Sequence, residues 1–237
     1  MPIRERPAET QRSEHWLRVA VNDFTDIFNK RIAESFGWTG SDPIRWLSPI
    51  KSDKYVEYFD QSFLDKLQVR TSQIANFWPP GGPRWDGLAK TKSGKVILIE
   101  AKAHIEEMVD YHSRASSASL TRINNSLEEA KMAFKANADA SWESPFYQYA
   151  NRLAHLYFLA GVEKVDAYLL FVYFVNAPDV PKPASIQQWE GAISLAHKCL
   201  GLGEHPFKSR IGNLIFTDEI LYNKSQEPKT QCAPASR

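Results

Sequence analysis

A turn between two apolar runs constrains this chain more than any other feature of the sequence. Residues 85–104 read Trp-Asp-Gly-Leu-Ala-Lys-Thr-Lys-Ser-Gly-Lys-Val-Ile-Leu-Ile-Glu-Ala-Lys-Ala-His. The Lys-Ser-Gly sequence that ends at Gly94 fits a three-residue hairpin loop, whose last position takes a positive φ that glycine tolerates best. This loop predicts an antiparallel hairpin in which Thr91 pairs with Lys95.

The register that follows from the loop brings charged side chains together at one end of the hairpin. Asp86 lies opposite Glu100, with Cβ atoms about 5 Å apart, and Lys102 shares a strand face with Glu100 because side chains alternate along a strand. Two carboxylates at such a short distance repel each other. Without a cation between them, we expect a raised pKa for at least one of them. Mg²⁺ prefers carboxylate oxygens and keeps several waters for substrate phosphates. The pattern therefore predicts a metal site with an ammonium group beside it.

The alternative is a structural ion pair between Glu100 and Lys102 on a solvated strand face. The strand sequence argues against this, since Leu98 shares the face of Glu100 while Ile97 and Ile99 line the other face. A strand that is apolar on both faces is typical of the centre of a covered sheet. Charges at the end of such a strand are partly desolvated, which favours a functional explanation.

An acidic residue on one strand followed by Glu-x-Lys on the next resembles the signature of the PD-(D/E)xK nuclease superfamily, although Trp85 stands where proline often precedes the acid. The resemblance implies an α/β fold with a restriction-endonuclease-like three-layer core, in which an antiparallel hairpin and a following strand form a mixed sheet flanked by helices. It implies Asp86, Glu100 and Lys102 as catalytic residues. It further implies Mg²⁺, with Mn²⁺ as a substitute, bound by Asp86, Glu100 and the backbone carbonyl of Ala101.

The function implied by the resemblance is hydrolysis of phosphodiester bonds, in DNA rather than RNA. The alternative is a non-catalytic module that uses the same fold to bind nucleic acid or protein. Relatives of that kind usually lose a member of the triad, and this chain has all three residues. A homodimer is left open, because cutting both strands of a duplex often needs two active sites.

Four further side chains are auxiliary candidates by the same resemblance. Many of these nucleases place a helix carboxylate near the metal, which points to Glu34 or Glu14, although a frayed last turn explains Glu34 more simply. His104 continues the strand face of Glu100 and could contact a phosphate or a metal-bound water, although a histidine at a strand end is more often an ordinary polar terminus. Gln148 matches the first position of a Gln-x-x-x-Tyr motif found in some members, but Arg152 stands at the second.

Composition places the chain among globular proteins without a global attraction to nucleic acid. Hydrophobic residues make up 43% of 237 positions, and 29 basic against 28 acidic residues give a net charge of +1, so DNA binding would need local basic groups. Candidates are Lys90, Lys92 and Lys95, which a solvated turn explains equally well. The two cysteines lack a metal-ligand spacing and suit a reducing compartment. We see no signal peptide or membrane span and expect a cytoplasmic protein without membrane association.

The periodicity of apolar residues predicts the order of elements. We expect one nuclease-like domain over 1–223, with an N-terminal helical region, and a flexible tail over 224–237. The predicted elements are helices over 14–36, 55–67, 119–138, 146–159 and 185–200, and strands over 44–47, 165–175 and 214–217 in addition to the hairpin.

Overall fold

The computed structural model describes residues 3–4, 10–71, 73–110, 115–217 and 221–222. The predicted tail over 224–237 lies outside these residues. Among the helices within them, none combines the length and the hydrophobicity that crossing a bilayer requires. In chain order the strands and α-helices are β1 (Ile3–Arg4), α1 (Arg12–Asp23), α2 (Thr25–Ser35), β2 (Ile44–Ser48), β3 (Glu57–Tyr58), α3 (Gln61–Leu67), α4 (Ile74–Phe77), β4 (Gly87–Thr91), β5 (Val96–Lys102), α5 (Ser117–Ala133), α6 (Tyr147–Leu156), β6 (Ala167–Phe174), α7 (Ile186–Cys199) and β7 (Ile211–Phe216).

In this described part of the chain, seven α-helices flank an open, mixed sheet of five strands in the order β2-β4-β5-β6-β7. Strands β2, β4 and β5 pair antiparallel, whereas β5, β6 and β7 pair parallel. The short strands β1 and β3 form a separate antiparallel pair. The predicted α/β class, with a hairpin and a following strand in one mixed sheet, is confirmed.

Two hydrophobic clusters cover the two faces of the sheet. Leu98 of β5 belongs to a cluster shared with α3, α5, α6 and α7, and Ile97 and Ile99 belong to a second cluster shared with α1 and α2. Strand β5 is therefore buried on both faces, as its sequence predicted. A polar side chain at the end of β5 is removed from water, so neighbouring elements must supply its hydrogen-bonding partners.

The hairpin has the predicted loop and register. Gly94 has a φ of 100°, and the Thr91 N–H donates a hydrogen bond of 2.9 Å to the Lys95 carbonyl. Leu88 lies opposite Leu98. The loop is held by Asp42, which accepts hydrogen bonds from the Ser93 N–H at 2.8 Å and from the Lys95 ammonium at 2.6 Å.

Two of the three hairpin lysines considered for DNA contact bind within the protein. The ammonium of Lys95 pairs with Asp42, and that of Lys90 donates to the Leu67 carbonyl at 3.1 Å. Lys92 is exposed.

Two predicted helices differ from those in the structure. The predicted helix over 14–36 is interrupted because Phe24, with φ −129° and ψ 31°, leaves helical geometry between α1 and α2. Gly37 follows α2 with a φ of 64°. The predicted helix over 55–67 was wrong in its first half, where β3 pairs with β1 and Asp60 takes a φ of 49° before α3 begins.

We predict that Gly94→Ala destabilises the protein through backbone strain alone. A Cβ at this position meets no atom within 4 Å, so the left-handed φ accounts for the expected loss of about 1–2 kcal/mol in the free energy of unfolding. Gly203→Ala is the matched control, since its site is equally open without a positive φ. Urea denaturation of both variants checks this, and equal stabilities would contradict it.

Candidate functional site

The C-terminal end of β5 opens into a cleft of about 650 Å³. Asp86, Glu100 and Lys102 all line this cleft, together with Ala101 and Gln148. Its walls come from the proline- and glycine-rich loop over 79–83 and from one side of α6, which also contributes Tyr147, Asn151 and Arg152.

Asp86 reaches the cleft because β4 begins one residue after it. Its Oδ2 accepts a hydrogen bond of 2.9 Å from the Ala101 N–H. The N–H and C=O of one strand residue point to the same side, so the Ala101 carbonyl is also directed past the start of β4. Gly87 lets β4 lie close to its two neighbouring strands, because a Cβ there would lie 3.2 Å from Ile99 Cβ and from the Trp46 ring.

Glu100 is buried, with 3% of its surface exposed, and it pairs with two cations. Its Oε1 lies 2.5 Å from the Lys102 ammonium, and its Oε2 lies 2.7 Å from Nε of Arg152. Burial by itself raises the pKa of Glu100, but the charges and hydrogen bonds of Arg152 and Lys102 outweigh it and hold the pKa below its usual value. We expected repulsion between the acids to raise the pKa of at least one of them; Glu100 is not that one, because both Arg152 and Lys102 pair with it.

Arg152 is a site residue that the Asp86, Glu100 and Lys102 motif does not include. It is 5% exposed, its Nη2 donates to the Arg84 carbonyl at 3.1 Å, and its guanidinium lies 5.1 Å from the centre of the Trp85 ring. The sequence signal was present, since Arg152 follows Gln148 by one helical turn on a segment whose other residues are largely apolar.

Gln148 connects α6 to the lysine of the triad. Its Oε1 accepts a hydrogen bond of 2.7 Å from the Lys102 ammonium. Lys102 therefore bridges Glu100 and Gln148, while Arg152 binds the other carboxylate oxygen of Glu100. One side of α6 thus supplies a partner to each of the two charged residues on β5.

The other three auxiliary candidates are not among the described residues that line the cleft. Glu14 pairs with Arg18 one turn further along α1 at 2.7 Å. Glu34 pairs with Arg31 at 3.3 Å, with both side chains about half exposed. The His104 side chain accepts from the Glu106 N–H at 3.3 Å and begins a short 3₁₀ turn after β5.

Asp60 holds the loop over 79–83 that forms one wall of the cleft. Its two carboxylate oxygens accept hydrogen bonds from the N–H groups of Gly81 and Gly82, at 3.0 and 2.8 Å. A Cβ on Gly82 would lie 3.1 Å from Asp60 Oδ1 and 3.2 Å from the Trp78 ring. Asp60, which takes a φ of 49°, thus contacts a segment more than twenty residues away.

The oxygen donors of the cleft suit hard cations such as Mg²⁺ and Mn²⁺ better than metals that prefer thiolate or imidazole ligands. Asp86 and Glu100 supply carboxylates and Ala101 supplies a backbone carbonyl, and Mg²⁺ is commonly held by one or two carboxylates with water completing the shell. The described residues contain no group of three or more His, Cys, Asp or Glu placed to hold a metal ion.

Comparison with protein-family models, with curated proteins and with solved structures finds no match to this chain. The likeness to PD-(D/E)xK nucleases therefore rests on the motif itself and on the placement of its residues in one cleft.

We predict that Arg152→Met lowers the free energy of unfolding by about 3–5 kcal/mol, because it leaves the buried Glu100 with one of its two cations. Arg31→Met is the control, since the Arg31–Glu34 pair is half exposed and such pairs contribute little. Chemical denaturation near neutral pH measures both, and a loss no larger than that of the control would contradict the assigned role of the buried pair.

His155 lies on α6 behind the site and is 1% exposed. Its ring is 4.8 Å from that of Trp78 and 6.0 Å from that of Trp85, and its Nδ1 is 2.9 Å from the Asn151 carbonyl. Burial, with a smaller effect from the Arg152 charge, lowers the pKa of His155 from 6.5 to about 3. The imidazole is therefore neutral in the folded protein at pH 7.

We predict that His155 makes the protein less stable as pH falls from 6.5 towards 3. Over this range the unfolded chain binds a proton at this histidine and the folded chain does not. Each pH unit of acidification therefore lowers the free energy of unfolding by up to about 1.4 kcal/mol. His155→Phe should make the acid-side decline in unfolding free energy shallower by that amount. Urea titrations at several pH values test this, and identical slopes for variant and parent would contradict it.

Proposed function

We propose that this chain is a Mg²⁺-dependent nuclease that hydrolyses phosphodiester bonds in DNA. The observation that carries the proposal is that Asp86, Glu100 and Lys102 line one cleft. Asp86 directly precedes β4, Glu100 lies on the adjacent antiparallel strand β5, and the Ala101 N–H donates a hydrogen bond to the Asp86 carboxylate. The choice of DNA over RNA comes from the resemblance of the motif to PD-(D/E)xK nucleases.

Each residue has a role that follows from its position. Asp86, Glu100 and the Ala101 carbonyl would hold the ion, for which Mn²⁺ is a substitute. A bound divalent ion supplies Lewis-acid polarisation of the scissile phosphate and lowers the pKa of an attacking water. Lys102 places a positive charge where negative charge develops on the phosphate oxygens, and Gln148 orients its ammonium.

The finer fold assignment belongs to the same proposal. A mixed sheet with the hairpin at one side, the parallel strands at the other and helices on both faces is consistent with a restriction-endonuclease-like three-layer core. In such a fold the acidic residue and the Glu-x-Lys pair occupy neighbouring strand ends, as they do here.

A non-catalytic binding module is the second candidate, and one observation favours it. Both oxygens of Glu100 are already paired, one with Lys102 and one with Arg152. A site whose charged side chains only neutralise one another would have both carboxylate oxygens of Glu100 paired in this way. The cleft also holds Arg84, which would serve phosphate binding in either case.

We predict that the protein cleaves DNA only with Mg²⁺ or Mn²⁺ present and that EDTA abolishes cleavage. Supercoiled, linear and single-stranded DNA are incubated with each ion and separated on gels. Asp86→Asn should be inactive with its fold intact, because an amide keeps the shape but loses the charged ligand. Lys102→Ala should lower the cleavage rate about 10²–10³-fold, the typical effect of removing one group that stabilises developing charge.

Glu34→Gln is the matched control for Asp86→Asn, because Glu34 lies outside the cleft and should not affect cleavage. Cleavage that survives EDTA, or full activity of Asp86→Asn, would overturn the nuclease assignment. A titration of DNA affinity against salt, with and without Mg²⁺, then identifies the binding module, which would bind DNA without cleaving it.

A further inference from the structure

The two cations that pair with Glu100 are held in different ways. Arg152 is fixed by Glu100, by the Arg84 carbonyl and by the Trp85 ring, and its side chain is 6% exposed. Lys102 contacts Glu100 and Gln148 through a single ammonium group at the cleft surface, and its side chain is 12% exposed. Because a lysine ammonium sits on a flexible four-carbon stem, Lys102 can move within the cleft without disturbing the core.

The charges around Glu100 affect how well the site can bind a divalent ion. The carboxylates of Asp86 and Glu100 are matched by the cations of Lys102 and Arg152, so the four residues carry no net charge together. Glu57, Asp110 and Arg84 also line the cleft, but Lys102 and Arg152 contact Glu100 directly. A divalent ion placed beside Glu100 would leave an excess of positive charge there, and both cations would repel it. Lys102 also occupies Oε1 of Glu100. Both effects weaken the binding of a divalent ion to the protein alone.

A phosphodiester removes both obstacles. Its negative charge offsets part of the excess, and its oxygens accept the Lys102 ammonium when it leaves Glu100. Gln148 can keep one hydrogen bond to the ammonium throughout, because its contact does not involve Glu100. Arg152 meanwhile stays on Oε2 and keeps Oε1 directed towards the cleft.

We propose that Lys102 is an exchangeable counter-ion of Glu100 that passes to the substrate phosphate, so that Mg²⁺ and the phosphodiester bind with positive coupling. Arg152 is the positioning residue that holds Glu100 during the exchange. This inference rests on the proposed function and adds to it a mechanism that discourages the site from loading metal without substrate. By linkage, Mg²⁺ raises the affinity for DNA by the same factor by which DNA raises the affinity for Mg²⁺.

The test is isothermal titration of Mg²⁺ into the full chain, alone and with a DNA duplex whose bridging phosphoramidate linkages resist hydrolysis and keep both non-bridging oxygens. In the parent protein the duplex should tighten Mg²⁺ binding at least about tenfold, within the usual range of coupling between sites. Lys102→Met should bind Mg²⁺ at least about tenfold more tightly than the parent without DNA, and its coupling to DNA should fall below about threefold.

Two further variants separate this mechanism from a general charge effect. Lys92→Met removes the same charge from the exposed hairpin loop and should leave Mg²⁺ affinity unchanged. Arg152→Lys keeps a cation on Glu100 and should not reproduce the loss of coupling, because Lys102 can still pass to the phosphate. Misfolding cannot account for tighter binding by Lys102→Met, since a damaged site loses affinity.

The outcomes distinguish this inference from the nuclease assignment. Mg²⁺-dependent cleavage combined with an unchanged or weaker Mg²⁺ affinity of Lys102→Met would overturn the exchange and leave the nuclease in place. Loss of coupling in Arg152→Lys but not in Lys102→Met would overturn it too, because the roles would be reversed. Absence of Mg²⁺ binding in every protein, with and without DNA, would overturn both proposals.

Discussion

The buried ion pair between Glu100 and Arg152 is the interaction on which the rest of the site depends. It joins the central strand β5 to α6, and through the Arg84 carbonyl it also joins the loop that enters β4. Removing two charges from water is costly, and their attraction offsets that cost only when geometry is good and the remaining hydrogen-bonding groups are satisfied. Lys102 and the Trp85 ring complete these contacts.

The second constraint is the difference in length between the two strands of the hairpin. Strand β5 continues beyond the start of β4, so the backbone at Ala101 has no strand partner on that side and binds the Asp86 carboxylate instead. The Ala101 N–H holds the Asp86 carboxylate at this strand end. Both acids therefore line the cleft at the point where β5 extends beyond the start of β4.

Local sequence predicted the hairpin well because loop and register are short-range properties. The loop that ends at Gly94 accepts few backbone conformations, and one register then follows for every pair down to Leu88 and Leu98. Apolar periodicity located most other elements to within a few residues. It failed at Phe24 and at Asp60, where the backbone leaves helical geometry inside an apolar pattern that continues.

The site divides in the same way. The sequence by itself determined that Asp86, Glu100 and Lys102 lie at one end of one hairpin, because turn geometry and strand alternation act over a few residues. Only the tertiary structure decided that Arg152 supplies a positive charge beside Glu100. Helix α6 begins more than forty residues after β5, and no local rule specifies which face of the helix meets the strand. Packing of α6 against the buried sheet sets that face, and with it the ionisation of the carboxylate at the centre of the cleft.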